Sequence, residues 1–258
     1  MIRRIPAAFR LAVLELRTRR RRILALLAFA GIFLAAAATA ATLARGTTER
    51  VEFDRLFQLG GFPLVSGMLL TGWLLGRFPV AATLVLMSGI IAGDREAGHA
   101  RVLAARPVPP ALLYGTRFAV LAAVAFAICG VLMPLFDLIM LGEWAGPATL
   151  ILILAHVLVW GGLTTLLSVF TSLDAWMALL LAILAMVWSA LAGAGMLPLA
   201  AALVEITAFV LPPQAQLFAL ESAFGDVQPI PWGAFAFAAG YGVLAIMGAL
   251  FFVGRREI

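Results

Sequence analysis

His99 and His156 are the histidines of this chain, and Cys129 is its cysteine. Neither histidine has a second ligand at metal-binding spacing: H-x-x-x-H, C-x-x-C and H-E-x-x-H are all missing from the sequence, so no metal site is expected. The richest cluster for acid–base work is Asp94-Arg95-Glu96-Ala97-Gly98-His99. Its carboxylates are two positions apart, and on a helix such neighbours do not face each other. An embedded phosphotransferase would want several aspartates on adjacent spans, whereas Asp137 and Asp174 fall at opposite ends of the membrane in this reading. No catalytic residue is assigned. ATP chemistry is excluded from the chain itself, because it has no G-x-x-x-x-G-K-[ST] run and no lysine at all.

Two ionisable residues interrupt apolar runs. Arg77 would cost at least about 2.5 kcal/mol at the centre of a bilayer, so it must snorkel to the interface or find a partner. His156 is a functional candidate by its depth alone. The plainer alternative is a neutral imidazole bonded to a backbone carbonyl or a hydroxyl of a neighbouring helix. Arg77 and His156 are therefore the intramembrane polar candidates.

The elements that must position these residues follow from composition. The 258 residues are 64% hydrophobic and 12% charged, and the mean hydropathy is +1.09. A soluble domain carries about 25% charged residues. Apolar runs near the length of about 20 residues needed to cross a bilayer recur along the chain. The expected fold class is an all-α integral membrane protein with six transmembrane helices in a single transmembrane domain, 1–258. The spans are read at 23–44, 78–93, 112–135, 148–170, 175–197 and 232–253. Residues 1–22 form a basic amphipathic helix for the headgroup layer, with Ile2, Ile5, Phe9, Ala12 or Val13, and Leu16 on one side. The first apolar run is longer than the core of a signal peptide and is read as a retained helix. Residues 62–75 are read as a short membrane-dipping segment, with one long tilted helix kinked at Pro79 as the alternative. The segment 198–231 holds Pro198, Pro212, Pro213, Pro229 and Pro231, and is expected as short helices at the outer face.

The net charge of +5 does not indicate nucleic acid, because the basic residues sit beside apolar runs. Arginines crowd the N-terminal segment, the region 94–117 and the tail at Arg255–Arg256. Lys/Arg excess marks the cytoplasmic side, which puts both termini and the 94–110 loop inside. The expected location is the cytoplasmic (inner) membrane of a bacterium. Cys129 lies in an apolar run and has no intrachain partner for a disulfide.

The loop carries a more specific pattern. An apolar run ends in Ala92-Gly93-Asp94-Arg95-Glu96-Ala97-Gly98; Leu103, Arg106, Pro107 and Val108 follow; then Pro109-Pro110 opens a new helix through Thr116-Arg117. This resembles the permease subunits of ABC-2 type ABC transporters, in which a span ends in Ala-x-Glu-Arg-Glu-x-Gly and is followed by Leu-Leu-x-x-Pro-Val-Ser-Arg and a helix with Gly-Lys near its start. Asp94 replaces the usual Glu, Pro109-Pro110 the Ser-Arg, and Thr116-Arg117 the Gly-Lys. The Arg-rich start, the six runs, the proline-broken segment before the last span and the terminal Gly-Arg-Arg-Glu extend the resemblance over essentially the whole chain.

The resemblance implies a cytoplasmic coupling helix between spans 2 and 3, within 94–110, that docks on a separately encoded ABC ATPase subunit. Its contact residues would be Asp94, Arg95, Glu96, Gly98, Arg101, Val102, Leu103, Arg106, Pro107 and Val108. Apolar Val102 and Leu103 would anchor, and Asp94, Arg95, Glu96, Arg101 and Arg106 would form the polar rim. The chain would hold no cofactor; ATP and Mg would bind the partner. Other implied partners are a second permease copy, membrane lipids and an extracytoplasmic accessory protein. The function implied is ATP-driven export. A solitary membrane-embedded enzyme, or a membrane anchor or regulatory protein, is the competing reading.

Overall fold

The structure is a computed structural model, described here over residues 4–46, 77–99, 108–140, 144, 146–193, 211–225 and 229–255. Among these every regular element is a helix: α1 (Arg4–Thr18), α2 (Arg20–Gly46), α3 (77–87), α4 (Ala92–Glu96), α5 (Pro110–Met140), α6 (Ala148–Phe170), α7 (Asp174–Gly193), α8 (Gln214–Gly225) and α9 (Trp232–Arg255). The dipping segment read at 62–75 lies outside the described residues.

Proline sets several of the starts. Pro110 opens α5, Pro147 precedes α6, Pro212-Pro213 precede α8 and Pro231 precedes α9. Proline has no N–H to lose at a first turn, and its φ is already helical. Helix α3 stops where Gly89 takes a left-handed φ of +70°, and the chain turns through Ser88–Ile91 into α4. Helix α4 stops the same way at Gly98, φ +68°. The glycine of the Asp-Arg-Glu-x-Gly run is thus a helix terminator, a conformation that L side chains rarely adopt.

Among the described residues, five helical stretches are long and apolar enough to cross a membrane: Arg20–Thr39, Arg77–Glu96, Pro110–Ile139, Ala148–Phe170 and Trp232–Arg255. The apolar helix α7 is counted apart from them, as the shorter stretch Asp174–Trp188. The centre of the molecule is α6, 67% buried, whereas the stretch in α2 is 22% buried and lies at the periphery. Helix α3 contributes to three apolar clusters. Phe78, Ala82 and Leu86 pack with α2, α5 and α6; Val80 and Leu84 pack with α6, α7, α8 and α9; Met87 packs with α5 and α9. Helices α6 and α9 come into backbone contact at Gly162 and Gly242, as small residues in membrane helices allow. Helix α1 packs along the start of α5 through Ala8, Leu11, Val108 and Leu113.

Candidate functional site

At one end of the bundle the charged residues flanking the loop turn inward. Arg117 on α5 forms ion pairs with Asp94 on α4 and with Glu15 on α1, the latter at 2.7 Å. Tyr114 donates to the same Asp94 oxygen at 3.0 Å, and Arg117 stacks over its ring. Glu15 also accepts from Arg19 at 2.8 Å. The guanidinium of Arg19 reaches on to the carbonyl oxygens of Leu86 and Ser88, and Arg22 adds a second donor to Ser88. These carbonyls are the acceptors that the end of α3 leaves unused within the helix.

The amides beyond the break are capped from the far side. Asp174, fully buried at the start of α7, accepts from Gly89 N–H at 2.7 Å, from the Ser88 hydroxyl, and from Ala175 N–H. Ser168 on α6 accepts from both Ile91 N–H and Ala92 N–H. Arg95 donates to the carbonyl oxygen of Val169 at 2.5 Å. The whole turn between α3 and α4 is therefore clamped by Arg19 at the α1–α2 junction and by α2, α6 and α7.

Of the loop residues expected at a partner surface, Asp94 and Arg95 are part-buried and bonded within the chain. Val108 is buried against Ala8 and Leu113. Glu96 and Gly98 are exposed, as is His99. Arg101, Val102, Leu103, Arg106 and Pro107 lie outside the described residues.

The two intramembrane candidates come together. His156, 1% exposed in α6, and Arg77, 35% exposed at position 77 of α3, both face one oxygen of Glu221 on α8. The separations from Oε1 are 3.3 Å to His156 Nε2 and 3.5 Å to Arg77 Nη1. Trp160, one turn along α6, donates its indole N–H to His156 Nδ1 at 3.2 Å. Because Nδ1 accepts that bond, Nε2 is the ring nitrogen left facing the carboxylate. The partner of Arg77 is thus a carboxylate on a distant helix, and the partners of His156 are an indole and that same carboxylate, rather than a carbonyl or hydroxyl. Sequence reasoning missed Glu221 and Trp160. Trp160 lies four positions after His156, a helical neighbour visible in principle. Glu221 had no such signal.

Among the described residues no group of three or more His, Cys, Asp or Glu is arranged to hold a metal ion. Fold and helix lengths define the class: a multi-pass, all-α, membrane-embedded protein. Comparison with protein-family models, with curated proteins and with solved structures gives no match.

Proposed function

We propose that the chain is the permease subunit of an ATP-driven exporter of the ABC-2 type, with α7 as a sixth span and both termini in the cytoplasm. Two permease copies work with two ATPase subunits in a bacterial cytoplasmic membrane. ATP and Mg are handled by the ATPase, and this chain supplies the path and the handle that is moved.

The observation that carries this reading is the clamp on the loop. Asp94 is tied through Arg117 to α5 and through Glu15 to α1. Arg95 is tied to the end of α6. A displacement of the loop is then passed to several helices at once instead of being lost in a bending linker. The exposed Glu96 and His99 are on the side offered to the partner. In this arrangement the motif residues Asp94 and Arg95 transmit force, while the apolar Val102 and Leu103 anchor in the ATPase groove.

Co-purification tests it. The tagged chain is co-expressed with candidate ATPase subunits, and Leu103→Asp with Arg106→Glu is compared with the parent. The expected result is a stable complex from the parent and loss of the ATPase from the double variant. If no ATPase is retained by the parent, or if the double variant keeps both complex and phenotype, the permease reading fails.

A further inference from the structure

We propose that Arg77 and His156 form a receptor for an oxyanion, that Glu221 is its resident counter-ion, and that the ligand exchanged for Glu221 is an amphiphile with a carboxylate or phosphate head and an apolar body. As the cargo of the proposed exporter this rests on that reading; as a binding site it does not.

The geometry of the donors comes first. Two N–H-bearing side chains from different helices face a single carboxylate oxygen, a pairing of groups suited to an oxyanion. The His156 donor is fixed in direction, because Trp160 occupies its other ring nitrogen. Both donors belong to the interior framework: the stretches carrying them are 56% and 67% buried. The acceptor belongs to a separate element. Helix α8 has 12 residues, begins after Pro212-Pro213 and is followed in the chain by Pro229 and Pro231.

The second observation is that the contacts are loose. Charge-assisted N–H···O bonds close to about 2.7–2.9 Å. Glu221 holds its partners at 3.3 and 3.5 Å. Neither the buried Nε2 of His156 nor the buried Oε1 of Glu221 has an aligned hydrogen bond. A buried donor left in this state, as His156 Nε2–H is, gains from an anion that aligns with it better than Glu221 does. Exposure falls from 35% at Arg77 to 21% at Glu221 and 1% at His156, so the approach runs from Arg77 inward.

The surroundings fix the rest of the ligand. Val80, Leu84, Leu152, Ala155, Leu217 and Leu220 belong to the apolar cluster shared by α3, α6 and α8. A free inorganic anion would shed its water for two donors among these side chains, which is unfavourable. An anionic head on an alkyl chain recovers that loss by burying the chain.

The test uses the purified chain alone in neutral maltoside micelles. Dodecyl phosphate, laurate, dodecanol and inorganic phosphate are compared by the shift in thermal unfolding midpoint and by titration. Dodecyl phosphate or laurate should stabilise the protein, and dodecanol and inorganic phosphate should not. Glu221→Gln, which removes the competing carboxylate, should bind the anionic amphiphile about tenfold more tightly. Arg77→Gln should weaken it at least about tenfold. Equal or weaker binding by Glu221→Gln overturns the exchange. A match between dodecanol and the anions overturns the oxyanion receptor, and a match by inorganic phosphate overturns the apolar body. If Glu221→Gln does not fold, undiminished binding by Arg77→Gln overturns the site by itself. A chain that takes these amphiphiles but retains no ATPase loses only the permease reading; one that retains an ATPase but takes none loses only this site.

Discussion

Arg117 and Glu15 are 102 positions apart in the chain and meet at 2.7 Å, with side chains only 10% and 12% exposed. The pair joins the N-terminal helix to α5, and each partner holds a further charge: Asp94 on one side and Arg19 on the other. Four charged groups, from α1, α4, α5 and the α1–α2 junction, therefore neutralise one another at the end of the bundle from which the loop leaves. Buried charges survive only when paired in this way.

Removing one partner should expose that dependence. Arg117→Gln leaves Glu15 and Asp94 without their shared cation, at a cost on the order of 3 kcal/mol. Glu15→Gln should cost less, because Arg117 keeps Asp94. The double variant should be less destabilised than the sum of the singles, with a coupling of about 0.5–3 kcal/mol in a thermal or denaturant unfolding cycle. Strict additivity would mean that the pair is not formed.

The break between α3 and α4 makes a second prediction. Ser168 is fully buried and its hydroxyl accepts two amides, Ile91 N–H at 3.1 Å and Ala92 N–H at 3.0 Å. Ser168→Ala leaves both without that acceptor, at about 1–3 kcal/mol each. Ser168→Thr keeps the oxygen and should retain more stability than Ser168→Ala. Ser222→Ala, at an exposed hydroxyl bonded to Ala219, should change little. Equal unfolding midpoints for the two alanine variants would contradict the cap.

Much of the helix pattern was legible because hydropathy and proline are local signals. The run read at 148–170 is helix α6 with those ends, and that read at 232–253 is α9, ending at Arg255. The run read at 112–135 continues to Met140, since Phe136 to Met140 is apolar apart from Asp137, whose side chain is buried. The site was less legible. Arg19, Arg22 and Arg117 are of the same type as the arginines that mark membrane orientation, and composition cannot say which of them turn inward. Asp174 read as part of a short connection, yet it caps a turn 85 positions earlier. Glu221 lies 65 positions from His156 and 144 from Arg77, so no spacing rule links them. Ion pairs across a fold are set by helix packing, and packing is a property of all the helices together.

Orientation can be read by labelling. Cys129 is buried, so single cysteines elsewhere report against a low background. Glu96→Cys and Arg255→Cys should resist a membrane-impermeant maleimide applied to intact cells and react after permeabilisation. Trp144→Cys, exposed between α5 and α6, should react from outside. The reverse pattern would invert the proposed topology, and with it the side on which an ATPase could meet the loop.

Gly240 and Gly242 lie two positions apart on α9 and should respond in opposite ways. A Cβ at Gly242 would overlap the carbonyl of Leu158, and one at Gly162 would overlap the carbonyl of Gly242. Both obstacles are backbone, which cannot step aside as the end of a flexible side chain can. A Cβ at Gly240 meets nothing within 4 Å. Gly242→Ala and Gly162→Ala should therefore force α6 and α9 apart, at about 1–3 kcal/mol or more. Gly240→Ala should be neutral or stabilising, because alanine is the better helix former. Because α6 also carries His156, the separation should spread to the polar cluster. Binding of an anionic amphiphile should fall in Gly242→Ala and persist in Gly240→Ala. Equal unfolding midpoints for the Gly240 and Gly242 variants would rule out the backbone contact between the two helices.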